Sequence, residues 1–394
     1  LSLPARTLSE RIFRTSSAFR LILFDRLPTR EQERLEELRQ DRDFYGILQP
    51  VEASAPVKAV GRDTALLLLT LREAGTLPGY VAEATDAERL FEEIGSLVMD
   101  GVLEVQDGGR FVSGSDALSI VSRGDSAAFE HGAVPELSLA ALRYGAALEI
   151  RDLGRLTSRL YGYNRVPLTP RRARRFPNAA AVEAYLGVEP GGRLQQRLLT
   201  SWHRREDNAT GPWLIWNRRG EAAGTRGHGP TYKLYVSPTI DILGRAFEKL
   251  LKALSATDAY QFKIAAEASG LLRPDKLVVY FADLESLTAA GTVLAEALAG
   301  LPAHGIPFTA EIAGRGLLSW GLDPPSGGSA LVEHEGKSWR YWVANRLAAA
   351  LLQAKGTERS EVEPWRFALE RLRRQGVDVD RWVPSATLWR GGKS

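Results

Sequence analysis

Three short apolar runs constrain the C-terminal half of this chain more than anything else in it. They read Tyr232-Lys-Leu-Tyr-Val-Ser-Pro238, Tyr260-Gln-Phe-Lys-Ile264, and the strand Lys276 to Phe281, which holds Leu-Val-Val-Tyr-Phe. Each has the length of a strand. Between the first two, Ile240 to Leu254 has the apolar spacing of an amphipathic helix. Ser286 to Leu301 reads as another helix, and Trp213–Trp216 and Phe308–Ile312 as further strands. Strands alternating with helices in this way predict an α+β domain. Two of the runs carry a lysine among aromatics, Lys233 and Lys263. An ammonium is costly to desolvate, so such lysines point to cations gathered on one sheet to meet an anion.

At 394 residues and 44% hydrophobic, the chain can bury a large core divided among more than one domain. A formal charge of only +3 excludes a polybasic nucleic-acid coat. With no cysteine there is no disulfide, thiolate metal site or cysteine nucleophile, and a cytoplasmic setting is expected. None of the five histidines forms a close ligand pair, which argues against a zinc enzyme; no cofactor is expected. No apolar run is long enough to span a bilayer and the N-terminus lacks a signal-peptide layout, so no membrane partner is expected. The chain opens at Leu1, which suggests trimming.

Residues 1–120 form the first expected domain. Thr29 to Arg42 favours helix, and Thr64 to Arg72 is an apolar helix broken by Gly75 and Gly79. A second helix, capped by Asp86, places Leu90, Ile94, Leu97 and Val98 on one face and ends at Gly101. Val102–Val105 and Arg110–Val112, joined through Asp107-Gly108-Gly109, predict a β-hairpin. Helix, helix, hairpin is the winged-helix pattern. The second helix is acidic, which disfavours DNA reading. A helical connecting region follows over 121–192, the α+β domain over 193–330, and a helical C-terminal extension over 331–394. In the connecting region, Arg171 to Arg175 reads as a solvated basic face or a site for an acidic peptide or nucleic acid. Trp339, Trp342 and Trp365 are expected in the core.

A convergence of Lys233, Lys263, Arg273 and Arg315 would have definite chemistry. Arginine grips phosphate through a planar fork and lysine supplies a movable charge. A lysine beside other cations loses its proton more easily and becomes a general base. Acting on a phosphate ester β to a carbonyl, it would remove the α-proton and expel phosphate, with Tyr235 or His228 as acid. Lys276 joins the phosphate-binding candidates. His203 and Arg204 are substrate-binding candidates, against the reading of His203 to Asp207 as a solvated loop.

Tyr-Lys-Leu-Tyr-Val-Ser-Pro, Phe-Lys-Ile and Arg-Pro-Asp-Lys-Leu-Val-Val-Tyr resemble the HopA-type effector family. Its relatives are the bacterial effector phosphothreonine lyases and the lyase components of lanthipeptide and thioamitide biosynthesis. The resemblance covers roughly Leu153 to Trp320. It implies Lys263 as the α-proton base, Lys233 as the lysine of a Lys-x-His strand, and Arg273 and Arg315 as phosphate ligands. The family's histidine is replaced by Tyr235, so Tyr235, His228 or His203 must serve as acid, or catalysis is weakened. The helix–helix–hairpin unit is similar to leader-peptide recognition elements of ribosomal-peptide modifying systems, which hold a precursor as an added strand; a plain structural domain is the alternative. Together these imply a metal-independent lyase that makes dehydroamino acids from phosphoserine or phosphothreonine in a ribosomally made precursor peptide. No Gly-Lys-Ser or Gly-Lys-Thr nucleotide loop and no kinase signature is present, so a separate kinase is the expected partner. The competing reading is a non-catalytic phosphopeptide-binding scaffold.

Overall fold

The computed structural model describes residues 8, 10–51, 57–82, 87–122, 132–205, 211–220, 231–324, 338–356, 362–385 and 388. The chain divides into two compact units. The larger holds residues 128–326, 336–348 and 376–394, and the smaller 1–127, 327–335 and 349–375. Helices and strands mix throughout, as an α+β chain requires.

The larger unit is built on a seven-stranded sheet of β1 (Trp202–Arg204), β2 (Trp213–Arg218), β3 (Tyr232–Val236), β4 (Gln261–Ala265), β5 (Leu277–Phe281), β6 (Ala310–Ile312) and β7 (Leu318–Leu322). The spatial order is β6-β7-β3-β5-β4-β2-β1, and every neighbouring pair is antiparallel. Side chains alternate across a strand, so the register sorts the sheet into two different faces. Phe262, Ile264, Val279, Phe281, Leu234, Trp216 and Leu214 fall on one face and form its apolar core. Trp216 stacks on Phe262 with centroids 5.0 Å apart, and Trp202 meets Phe262 edge-on at 4.8 Å.

Two helices cover this apolar face. Helix α1 (Leu243–Leu254) buries Leu243, Phe247, Leu250, Leu251 and Leu254, the i, i+3, i+4 stripe that the sequence shows, and Phe247 reaches the Trp216–Phe262 pair. Helix α2 (Leu284–Ala297) starts at Asp283, whose carboxylate accepts from the Ser286 amide at 2.7 Å, and buries Leu287, Ala290 and Leu294.

The opposite face carries Lys233, Tyr235, Lys263, Val278 and Tyr280. Close packing begins at its edge, where Gly321 pairs with Lys233. A Cβ on Gly321 would stand 2.6 Å from Trp339 Cδ1, so only glycine lets the indole lie on the strand there. Trp339 opens the helix Trp339–Lys355, and its ring nitrogen donates to the Phe308 carbonyl at 3.1 Å. Trp339, Trp342 and Trp365 are all buried, as expected.

In the smaller unit, helices Arg62–Thr70 and Ala87–Met99 precede the hairpin Leu103–Asp107 and Arg110–Val112, the order anticipated from the sequence. Gly101 takes a left-handed φ of 76° and lets Val102 N–H return to the Leu97 carbonyl, closing the second helix. Asp86 and the side chain of Leu90 lie outside what the structure describes. Phe13–Thr15, a strand too short to show as a pattern, pairs along Leu103–Val105. Phe19–Leu23, Phe44–Pro50 and Lys58–Gly61 form a separate antiparallel sheet beside the helix Thr29–Arg39. Among the described residues no helix is long and apolar enough to cross a membrane.

Candidate active site

Lys263 and Tyr235 both lie directly opposite Val278, one on each side of β5. Their backbones are therefore about 10 Å apart, twice the spacing between neighbouring strands. Lys233 is two residues before Tyr235 and lies opposite Tyr280. The two lysines thus flank one aromatic ring: Lys263 Nζ is 5.6 Å from the Tyr280 centroid and Lys233 Nζ is 5.5 Å. Lys263 Nζ also sits 4.4 Å from the ring of Trp213. An aromatic floor holds both cations by cation–π attraction while giving neither a counter-charge.

Carboxylates separate the two lysines. Lys233 forms an ion pair with Asp323, just past the end of β7. Lys263 has no such pair among the described residues. Burial, the neighbouring Lys233 and then Arg273 push its pKa down from 10.5 to about 8, against the pull of Asp275 and Asp323. A lysine in that state releases its proton near neutral pH and can serve as a base.

Arg273 belongs to the loop between β4 and β5. Its guanidinium grips Asp275 with both arms, Nε to Oδ1 and Nη2 to Oδ2, each at 2.8 Å. Nη2 also donates to the Tyr161 hydroxyl at 2.7 Å, which in turn donates to Asp275 Oδ2 at 3.1 Å. Arg340 completes the hub with Nη1 2.8 Å from Asp275 Oδ2 and Nη2 donating to the Tyr161 carbonyl at 3.0 Å. Burial alone would raise the Asp275 pKa, but Arg340 and Arg273 hold it well below the usual carboxylate range. The same carboxylate keeps Arg273 firmly charged. The two lysines and the Asp275 hub together hold four cationic groups, Lys233, Lys263, Arg273 and Arg340, against two carboxylates, Asp275 and Asp323. The surplus is positive and suits an anion.

Tyr235 is buried beside Val278, Tyr280 and Ile306. Burial first and Asp323 second push its pKa well above 10, so its hydroxyl keeps its proton.

The other expected site residues fall elsewhere. Lys276 is fully buried, with Nζ donating to the Pro238 carbonyl at 3.0 Å and lying 2.9 Å from His304 Nδ1. It cannot reach a phosphate, and its place among the phosphate ligands is corrected: it is an internal brace. Arg204 follows His203 on β1, and alternation sends it to the other face, where Nη1 meets Glu183 at 2.7 Å. It therefore does not share the face that carries Lys263. His203 shares the lysine face through Asn217 but stands exposed on the edge strand, two strands from Lys263. Arg315 is exposed in the turn between β6 and β7, and no ion pair or ring contact among the described residues ties it to the cluster. His228 lies outside the described residues.

Sequence reasoning missed Tyr161, Asp275, Asp323 and Arg340 as members of the site. Asp275 stood inside the Arg-Pro-Asp-Lys stretch, and Arg340 between two tryptophans, a setting as unusual for a cation as those of the lysines. Tyr161 and Asp323 carried no local signal. Among the described residues no group of three or more histidines, aspartates or glutamates is placed to hold a metal.

No family model matches the chain, and no curated protein matches it. Solved structures do. The effector protein from Pseudomonas syringae pv. syringae strain 61 is 16% identical, with 64% of this chain and 98% of that one covered and a TM-score of 0.37. A phosphothreonine lyase is 14% identical, covering 46% and 88% at a TM-score of 0.27. The phosphothreonine lyase SpvC, an effector protein from Salmonella, is 13% identical, covering 55% and 98% at 0.26. At such scores the likeness carries none of the chemistry that follows.

Proposed function

We propose that this protein is a lyase that eliminates phosphate from phosphoserine or phosphothreonine in a peptide, using its own side chains as base, acid and phosphate ligands. The observation that carries the reading is Lys263: one lysine of a cation cluster, set on aromatic rings without a carboxylate partner among the described residues, with its pKa lowered to about 8. In this reading Lys233 and the outer N–H groups of Arg273 hold the phosphate dianion. Lys263 takes the proton from Cα, the freed electron pair forms the Cα=Cβ double bond, and the Cβ–O bond breaks with its electrons leaving on phosphate. Tyr235 protonates the departing oxygen. The products are a dehydroamino acid and inorganic phosphate. A ribosomally made precursor as substrate, a separate kinase to phosphorylate it, and leader-peptide holding by the helix–helix–hairpin unit rest on the sequence resemblance alone.

The test is incubation with a phosphothreonine peptide and mass spectrometry for loss of phosphoric acid. Conversion that disappears in Lys263→Ala supports the lyase, and Tyr235→Phe should lower kcat by about 10²–10⁴-fold if Tyr235 is the acid. One observation favours a second reading: the fork of Arg273 is already committed to Asp275; the sequence resemblance adds that a tyrosine stands where the effector lyases have histidine. Tight phosphopeptide binding with no conversion would establish that reading, a phosphopeptide-holding subunit.

A further inference from the structure

The basic run after Tyr163 has no place in the chemistry above, yet it is fastened to the loop that carries Arg273. Val166 N–H donates to the Leu272 carbonyl at 3.0 Å, one residue before Arg273. Arg165 Nη2 donates to the Ser269 carbonyl at 2.6 Å in the same loop. The short helix Pro170–Arg175 follows, capped by Thr169, whose hydroxyl accepts from the Arg172 amide, and it packs beside Ala268–Leu271.

Arg165, Arg172 and Arg175 help to hold the segment in place, whereas Arg171 and Arg174 make no ion pair, side-chain hydrogen bond or ring contact among the described residues. Arg165, Arg171, Arg174 and Arg175 are exposed, and none of them forms an ion pair among the described residues. Arg175 lies over the rings of Phe176 and Tyr185, at 5.2 and 4.7 Å, which anchors the end of the helix. Arg171 and Arg174 are three positions apart, so they share one side of the helix. Exposed arginines this close together repel one another, and a chain of net charge +3 has carboxylates enough to pair them. Leaving them open makes a surface complementary to negative charge.

We propose that the Arg165–Arg175 segment docks an acidic stretch of the peptide substrate, beside the residue being processed. This rests on the phosphopeptide reading of the site. Six helical residues span about 9 Å, which matches about three residues of an extended peptide. A peptide whose phosphate lies at Arg273 and whose chain runs outward past Leu272 would bring its next acidic residues to these guanidinium groups. A nucleic acid is the weaker fit, because the patch is one short helix rather than a stripe.

The Lys263→Ala protein, in which turnover is blocked, would be titrated with three fluorescent probes. Two are phosphothreonine peptides flanked on both sides by aspartate and glutamate or by serine and glycine; the third is a random-sequence DNA duplex. The acidic peptide should bind about tenfold more tightly, the sum of a few exposed ion pairs. The preference should vanish in Arg171→Glu/Arg174→Glu, whose thermal melt confirms folding, and should shrink as salt is raised in the parent. Equal binding of both peptides by the parent overturns the proposal. So does a preference that survives the double substitution, or a substitution that abolishes duplex binding while leaving both peptides unaffected. Failure of the lyase reading would show separately, as no phosphate release by the unmodified protein from either peptide.

Discussion

Asp275→Asn tests whether the buried hub holds the site together. The side chain keeps its shape and one acceptor oxygen but loses its charge. Asp275 is 5% exposed and Arg340 1%, so the Arg340 guanidinium would be left in the interior without a counter-charge. Arg273 is more open and can turn to water. The cost therefore falls mainly on Arg340, and leaving one buried ion unpaired costs about 3–5 kcal/mol. For a unit of this size each kcal/mol lowers Tm by about 2–4 °C, which gives a fall of about 6–20 °C. Differential scanning calorimetry reads it directly. Arg340→Met should cost less, because Asp275 retains Arg273 and Tyr161, and the double variant should lose less than the two single losses added together. A fall under about 2 °C for Asp275→Asn, or strictly additive losses, would refute the hub.

Phosphate release should rise with pH through an apparent pKa near 8, set by Lys263, so that about a tenth of the enzyme is active at pH 7. Lys263→Arg, charged at every accessible pH, should be inactive, and a flat profile would remove Lys263 as base. Lys276, lowered to about 7 by burial, binds fewer protons folded than unfolded between about pH 7 and its ordinary value. Its contribution therefore grows more favourable as pH rises through that window. Measured by urea midpoints, the stability of the parent relative to Lys276→Met should increase from pH 6 to pH 9, and a constant difference would sink the idea. Gly321→Ala should destabilise by about 1–3 kcal/mol, because its methyl would enter the Trp339 ring; an unchanged denaturation midpoint would show that the indole can yield.

The strands and helices of the larger unit were legible because they depend on local pattern. The stripe through Phe247, Leu250 and Leu254 and the runs around Lys233 and Lys263 show at their own spacing. The shared face of the lysines did not show there, because their strands flank β5 rather than pair with each other and the register along β5 decides the face. The short strands Phe13–Thr15 and Trp202–Arg204 were illegible, since three residues make no pattern and distant partners hold them. Within the site, the lysines announced themselves by being cations among aromatics. Their counter-charges did not: Asp275 and Asp323 look like ordinary loop aspartates until packing brings Arg340 and Lys233 to them. Lys276 and Arg204 were misplaced for a related reason. Sequence shows that a cation is near a strand, whereas register and burial decide which way it points.

Tyr161, Asp275 and Arg340 come together across large distances in sequence, 114 positions from Tyr161 to Asp275 and 179 from Tyr161 to Arg340. Contacts of such range form late, after the entropy of closing long loops has been overcome. A chain emerging from the ribosome therefore carries its lysines and its sheet well before Arg340 arrives to fix Asp275. Until then Asp275 lacks one of its two arginine partners, and the carboxylate that grips Arg273 is held from one side only. Competence is in this sense a certificate of completed folding: on dilution from denaturant, turnover should return only with the slowest phase, after the signals of secondary structure have already recovered.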